Sequence, residues 1–193
     1  MIAAALLIGF GLGAIPSAHL LALAVGHNLR TEGTGNPGTA NALVVGGKKL
    51  AGAVLLVDML KGFLAVQLGL ALVGSGGAVA GGLAAISGQI FNPWFRFRGG
   101  KGLGVAGGVT MAAWPLGLVV AVPFMAGTAR LMGSAAKGAL LGLAFYTAAT
   151  IAWVALDLPV GWGIDTGVAL VALGLGVLLI AAPKFVADLR RAT

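Results

Sequence analysis

Long apolar runs separated by short polar stretches set the pattern of this chain. The runs cover residues 2–26, 50–73, 77–91, 103–130, 138–156 and 164–182. A helix needs about 20 such residues to cross the hydrocarbon core of a bilayer, and most of the runs are near that length. The fourth is longer, at 28 residues, and holds Trp114-Pro115 near its middle. Proline removes a helical hydrogen bond and disfavours helix at the residue before it. That run is therefore expected to form two short helices meeting near Trp114. The pattern predicts an all-α integral membrane protein, with residues 1–193 forming one domain of seven short transmembrane helices.

Charge tests that count independently. With seven crossings, Arg30, Lys48, Lys49, Arg96, Arg98, Lys101, Arg130, Lys137, Lys184, Arg190 and Arg191 all fall on one side, eleven of the twelve Lys and Arg residues. Only Lys61 lies within a span. The opposite side receives the turn at 74–76, the Trp114-Pro115 turn and a loop with Asp157 and Asp165. Positive residues stay cytoplasmic, so the N-terminus is expected outside and the C-terminus inside. Six crossings would split the basic loops between the two faces.

Composition narrows the picture further. The chain is 59% hydrophobic and 9% charged, too little charge to cover a soluble domain of this size. Its 34 glycines suit close helix packing in lipid, and the GxxxG pairs Gly9/Gly13, Gly77/Gly81 and Gly104/Gly108 are expected packing faces. The net charge of +7 would fit nucleic acid, but its basic residues lie between apolar runs rather than on one soluble face. No basic residue precedes the first run, which is expected to be retained as a span rather than cleaved as a signal. There is no cysteine, hence no disulfide and no thiolate catalysis. Trp94, Trp114, Trp153 and Trp162 fall near predicted helix ends, where interfacial tryptophans sit.

Candidate chemistry gathers in two basic loops. The first reads Arg30-Thr-Glu-Gly-Thr-Gly-Asn-Pro-Gly-Thr-Ala-Asn41. Gly33, Gly35 and Gly38 permit a backbone that points successive N–H groups into one concavity, an oxyanion nest. Thr34, Thr39, Asn36 and Asn41 add side-chain donors. An ordinary flexible loop is the competing reading. The second loop runs from Phe91 to Gly102, with Gly99, Gly100 and Gly102 around Lys101 and a helix starting just after. A helix N-terminus offers unpaired N–H groups and positive potential, so Lys101 there suits a phosphate. This is no Walker A loop, because Phe95 and Gly102 stand where that motif needs glycine and Ser or Thr. Arg96 and Arg98 fit anionic lipid headgroups.

Asp58 and Lys61 lie three residues apart inside the second span and so share a helix face. A structural ion pair is one account; orienting the first glycine loop is another. His19 is expected to hydrogen-bond another helix, and His27 to be solvated. No His, Asp or Glu cluster has metal spacing, and no GxSxG elbow occurs. The residues alone thus point to two phosphate-cradling loops beside the cytoplasmic leaflet, joining a phosphorylated soluble substrate to a lipid-phase one.

At Gly35-Asn-Pro-Gly-Thr-Ala-Asn41, Asp58-Met-Leu-Lys-Gly62 and Phe97-Arg-Gly-Gly-Lys-Gly102, the sequence resembles the bacterial acyl-phosphate-dependent glycerol-3-phosphate acyltransferases, the PlsY family. Gly13-Ala-Ile-Pro16 matches that family's first helix. The resemblance implies a seven-span bundle of the bacterial cytoplasmic membrane with its site in cytoplasmic loops. It implies transfer of a fatty acyl group from acyl phosphate to the 1-hydroxyl of glycerol 3-phosphate, giving lysophosphatidic acid without coenzyme A, metal or other cofactor. The substrates and membrane lipids are then the partners, nucleic acid is not, and a monomer is one option for the assembly. Lys101, Thr34 and Asn36 would be catalytic, Thr34 replacing the family serine. Gly33, Gly35, Gly38, Asn41, Gly99, Gly100 and Gly102 would bind substrate phosphate, and Asp58, Lys61, Arg130 and Ser134 would support them.

Several family positions differ here. Val44 stands for an arginine, Gln89 for the histidine of G-H-x-F, and Gly133, next to Ser134, for a serine. The C-terminal motif is reduced to the stretch 182–191, where Lys184 could replace lost charge, as could Lys48, Lys49 or Arg130. These departures motivate a second reading, a non-catalytic paralogue that binds acyl phosphate or lipid; the glycine-rich loops and the charged intramembrane pair suggest a third, a small anion transporter.

Overall fold

The structure, a computed structural model, describes residues 1–160, 162–164 and 167–192, and no strand occurs among them. Asp165 lies outside the described residues. Helix α1 covers Ile2–Ala14 and α2 covers Ser17–Ala24. The first apolar run is therefore broken, because Pro16 lacks the N–H that a continuous helix would need. Helix α3 covers Thr39–Val73, and α4 covers Ser75–Ile90. Helices α5, Leu103–Ala113, and α6, Pro115–Leu131, meet at Trp114, so the fourth run divides where its proline predicts. Helix α7 covers Ala135–Ala155 and α8 covers Gly167–Ala192.

Helix α3 begins well before its apolar run. The stretch from Thr39 is already helical, and the path bends at Gly47, whose φ of 74° belongs to the left-handed region that favours glycine. The polar residues before the run thus form a helix of their own rather than loop. Four helical stretches are long and apolar enough to cross a membrane, namely Ile2–Ala24, Thr39–Val73, Ala135–Ala155 and Gly167–Arg191, which makes the chain a multi-pass membrane protein.

Small residues set how closely these helices approach. A Cβ on Gly9 would overlap the Gly81 carbonyl, one on Gly13 the Ala85 carbonyl, and one on Gly108 the Met59 carbonyl. Lipid is as apolar as leucine, so helices associate through such contacts rather than through hydrophobic exclusion. The GxxxG pairs are packing faces, as expected.

The tryptophans divide. Trp94 is 74% exposed and Trp162 is 57% exposed, as interfacial rings would be. Trp114 departs from expectation, being 1% exposed. The break between α5 and α6 opens a gap in the bundle, and this indole fills it, 6.1 Å from the Tyr146 ring and 5.3 Å from that of Trp153. Gly117 lies against it, since a Cβ there would come 2.7 Å from the indole.

Candidate active site

The glycine loop is organised by one side chain. Asn41, in the first turn of α3 and 1% exposed, donates from Nδ2 to the carbonyls of Leu29 and Glu32, both at 3.0 Å. Its Oδ1 accepts the Thr34 N–H at 2.7 Å. With both amide hydrogens and the oxygen engaged, Asn41 shapes the loop from beneath. Gly33 and Gly35 turn the chain with φ of 61° and 70°. Their role differs from the expected nest, because the Gly35 N–H bonds the Glu32 carbonyl at 3.1 Å and the Gly38 N–H the Asn36 carbonyl at 2.9 Å. Tight turns close on themselves before their amides can converge outward. What the loop offers a ligand is mainly the side chains of Thr34 and Asn36.

Glu32 fixes the opposite end of the loop. Its carboxylate accepts the Asn28 backbone N–H and lies 3.0 Å from His27 Nδ1. Those hydrogen bonds, the backbone one foremost, hold its pKa below the ordinary value. His27 is therefore partnered rather than merely solvated. His19 also departs from expectation: its ring stands edge-on to Phe95, with centroids 5.4 Å apart, and Nδ1 has no hydrogen-bond partner.

The lysine loop folds back on α4. A 3₁₀ turn at Pro93–Phe95 starts at Asn92, whose Oδ1 accepts the Trp94 N–H at 3.0 Å and whose Nδ2 bonds the Ala14 carbonyl at 2.9 Å. The Gly99 and Gly100 N–H groups return to the carbonyls of Ile90 and Gln89 at 3.0 and 3.1 Å. A Cβ on Gly99 would overlap the Gln89 carbonyl, so only glycine allows this approach. These two amides also point inward. The uncapped N-terminus of α5, beginning at Leu103 just after Lys101, keeps its positive end toward the site.

The two loops meet. Arg30 donates from Nη1 to the Arg98 carbonyl at 3.0 Å and lies over the Phe95 ring, 4.9 Å from its centroid. Between them opens a polar cavity of about 930 Å³, lined by Thr34, Gly35, Asn36, Asn41, Gly99 and Lys101. Arg30, Arg98, Lys184 and Arg191 add positive charge to its wall, and Asp188 is the one carboxylate among the described lining residues. Lys184 does reach the site, as its proposed compensating role requires.

Lys101 is held from α8. Its Nζ forms an ion pair with Asp188 Oδ2 and lies 5.4 Å from the Phe185 ring centroid. Sequence reading missed both partners. The available signal was spacing: Lys184 and Asp188 are four residues apart, hence on one helical face, and Asp188 is the lone acid in a basic stretch. Arg130 ends α6 with an exposed side chain, and Ser134 caps α7 by accepting the Lys137 N–H at 3.3 Å. Neither lines the cavity, although Ala135 does.

Beneath the loops, Asp58 and Lys61 form a buried pair, 2.9 Å apart. Ser17 Oγ donates to Asp58 at 2.9 Å, while Lys61 Nζ donates to Gln89 Oε1 at 2.8 Å and to the Ile15 carbonyl at 3.0 Å. The last acceptor, at the helix break, also takes the Ser17 backbone N–H at 2.9 Å, so the ammonium is its second donor. The pair leads through Gln89 to the lysine loop rather than the glycine loop.

A second cavity, about 570 Å³ and largely apolar, runs from Lys101 and Gly102 between α3, α5, α6 and α7 to Val122, Met125 and Tyr146. Asn36, Ala40 and Lys101 line both cavities. A cation-rich chamber and a greasy channel therefore join at the lysine.

Comparison with known proteins places this architecture among relatives. A family model described as glycerol-3-phosphate acyltransferase matches residues 3–192. A glycerol-3-phosphate acyltransferase of Myxococcus xanthus is 38% identical over 166 residues, 81% of this chain and 86% of that protein. One from Agrobacterium fabrum is 39% identical over 144 residues, covering 74% of this chain and 70% of that protein. For the 45% identical protein of Nitrobacter winogradskyi, the chain spans only 57% of the relative's length. The crystal structure of PlsY (YgiH), an integral membrane glycerol 3-phosphate acyltransferase, in its glycerol 3-phosphate form shares the fold with a TM-score of 0.77 at 22% identity, over 99% of this chain and 92% of that one. Its lysphosphatidic acid form gives a TM-score of 0.76 at 20% identity, over 98% of this chain and 92% of that one.

Proposed function

The chain belongs to the glycerol-3-phosphate acyltransferase family, and on that premise we propose that it transfers an acyl group from acyl phosphate to the 1-hydroxyl of glycerol 3-phosphate. The observation that carries this reading is the position of Lys101, where the polar and apolar cavities join. A substrate with a phosphoryl head and a long apolar tail fits that junction. The tail lies in the channel, and the head meets Lys101 and the positive end of α5. The acceptor's phosphate takes the remaining charge of Arg30, Lys184 and Arg191, which leaves its hydroxyl near the acyl carbonyl.

Acyl phosphate is already activated, so the protein's task is positioning and charge stabilisation. The acceptor oxygen bonds to the acyl carbon, the carbon–oxygen bond to phosphate breaks, and Lys101 stabilises the charge that leaves. Thr34 and Asn36 hydrogen-bond the reacting groups from the glycine loop. Gly33, Gly35 and Gly38 give that loop its path, and Asn41 fixes it. Gly99 and Gly100 press the lysine loop onto α4, and Gly102 turns it into α5.

The same reading places residues 1–193 in the bacterial cytoplasmic membrane as one domain of seven crossings, N-terminus outside and C-terminus inside. Its support is the one-sided distribution of basic residues, together with the meeting of both loops and the end of α8 around a single cavity. The direct test incubates purified protein with acyl phosphate, with and without glycerol 3-phosphate, and identifies the lipid product. Lysophosphatidic acid that requires both substrates is the expected result. Its absence would overturn the reading and leave a pocket that binds without transferring.

A further inference from the structure

The proposed reaction ends with inorganic phosphate in the polar cavity. Lys101, Arg30, Arg98, Lys184 and Arg191 line that cavity, against Asp188 as the one carboxylate among its described lining residues. Cations that hold a phosphoryl group during transfer also hold the free anion afterwards, through hydrogen bonds strengthened by charge. Product release limits turnover in many enzymes, so a site of this charge needs a route by which phosphate leaves. Two residues of α8 bear on that route. Phe185 and Asp188 stand three positions apart, hence on one helical face, and both meet the Lys101 ammonium.

Building on the proposed function, we propose that Asp188 competes with phosphate for Lys101 and so sets how tightly the cavity holds that anion. Its Oδ2 stands on Nζ, in the place where a phosphoryl oxygen would bind. The ammonium has three hydrogens, but two anions side by side repel, so carboxylate and phosphate take the lysine in turn. The side chains of Lys101 and Asp188 are 34% and 30% exposed, and ion pairs so open to water are weak enough to part. An arriving phosphoryl group displaces the carboxylate by rotation of the Asp188 side chain, with α8 unmoved. The buried Phe185 ring keeps the ammonium in position meanwhile. After transfer the carboxylate returns to Lys101 as phosphate departs. Affinity for phosphate is thereby reduced according to the fraction of molecules in which the pair is closed.

The test measures binding of inorganic phosphate to the purified chain in detergent by titration calorimetry. Wild type, Asp188→Asn and Asp188→Ala are compared, each also in a Lys101→Ala background. Both Asp188 variants should bind phosphate about three- to fivefold tighter than wild type, the scale of one part-exposed ion pair. That gain should disappear when residue 101 is alanine, because the competition is for the lysine. A gain that survives Lys101→Ala would reflect the field of the whole cavity and overturns the assignment. So does a gain with asparagine but not alanine, which would be a new hydrogen bond to the anion. Phosphate binding unchanged or weakened in both variants overturns it as well. If one variant does not fold the other decides, and if neither folds Asp188 is structural and the assignment falls. Acyl transfer by wild type without the phosphate shift removes only the competitor. The phosphate shift without acyl transfer removes only the underlying function.

Discussion

Asn41 Oδ1 accepts the backbone N–H of Thr34 at 2.7 Å, linking the first turn of α3 to the centre of the glycine loop. A matching residue in a glycine motif invites a direct role on substrate, yet here the amide is fully engaged by the protein itself. The loop's shape is thus encoded in a buried residue seven positions beyond the group it holds.

Removing that amide strands several buried backbone groups at once. Asn41→Ala is expected to cost about 1–3 kcal/mol for the groups left unsatisfied. It should also lower turnover, because Thr34 and Asn36 lose their fixed position. Thermal unfolding in detergent alongside the acyltransferase assay checks both. An unchanged melting temperature with normal turnover would refute the clasp.

Lys101 is expected to matter through charge placed on the departing phosphate. Lys101→Ala should reduce turnover at least about 100-fold, the scale of losing one oxyanion donor. Lys101→Arg should recover little of it, because a planar fork does not reproduce a compact ammonium. Near-normal transfer by the alanine variant would end the proposed role.

The buried pair makes a different demand. Lys61→Ala leaves Asp58 charged and without its counter-ion among the helices, held only by hydrogen bonds such as that from Ser17, and breaking such a pair costs about 3–5 kcal/mol. Replacing both, Lys61→Met with Asp58→Leu, should destabilise less than Lys61→Met alone. A double-mutant cycle of detergent melting temperatures reads this coupling, and additive effects would count against it.

Gly107 lines the apolar channel, and a Cβ there would meet only Met59 atoms at 3.8 and 3.9 Å. Gly107→Leu should therefore fold and fill part of the channel. The expected outcome is a shift of preference toward shorter acyl phosphates, measured as kcat/KM across a chain-length series. Gly108 lies directly against the Met59 backbone carbonyl, so Gly108→Leu should fail to fold. An unchanged chain-length profile for Gly107→Leu would place the tail elsewhere.

Patterns carried by many residues were legible in the chain alone. The apolar runs gave the helices, Pro115 gave the break beside Trp114, and small residues at i, i+4 gave the packing faces. The placement of Lys101 ahead of a helix was legible too, because glycine spacing and helix onset are local. Asp188 was not, since its contact with Lys101 depends on where α8 packs. The burial of Trp114 was hidden for a similar reason: a helix end resembles an interface in sequence whether it meets headgroups or core. The inward turn of the loop amides was also out of reach, because glycine spacing permits a nest without requiring one.

Gly47 separates two tasks along α3. Thickening or thinning of the surrounding bilayer re-tilts a helix to match its apolar length. A straight rod of 35 residues would carry each such tilt into the glycine loop. With a swivel at Gly47, the segment bearing Asp58 and Lys61 can follow its lipid surroundings while the turn bearing Asn41 keeps its aim, so the glycine loop is insulated from the thickness of the membrane that houses it.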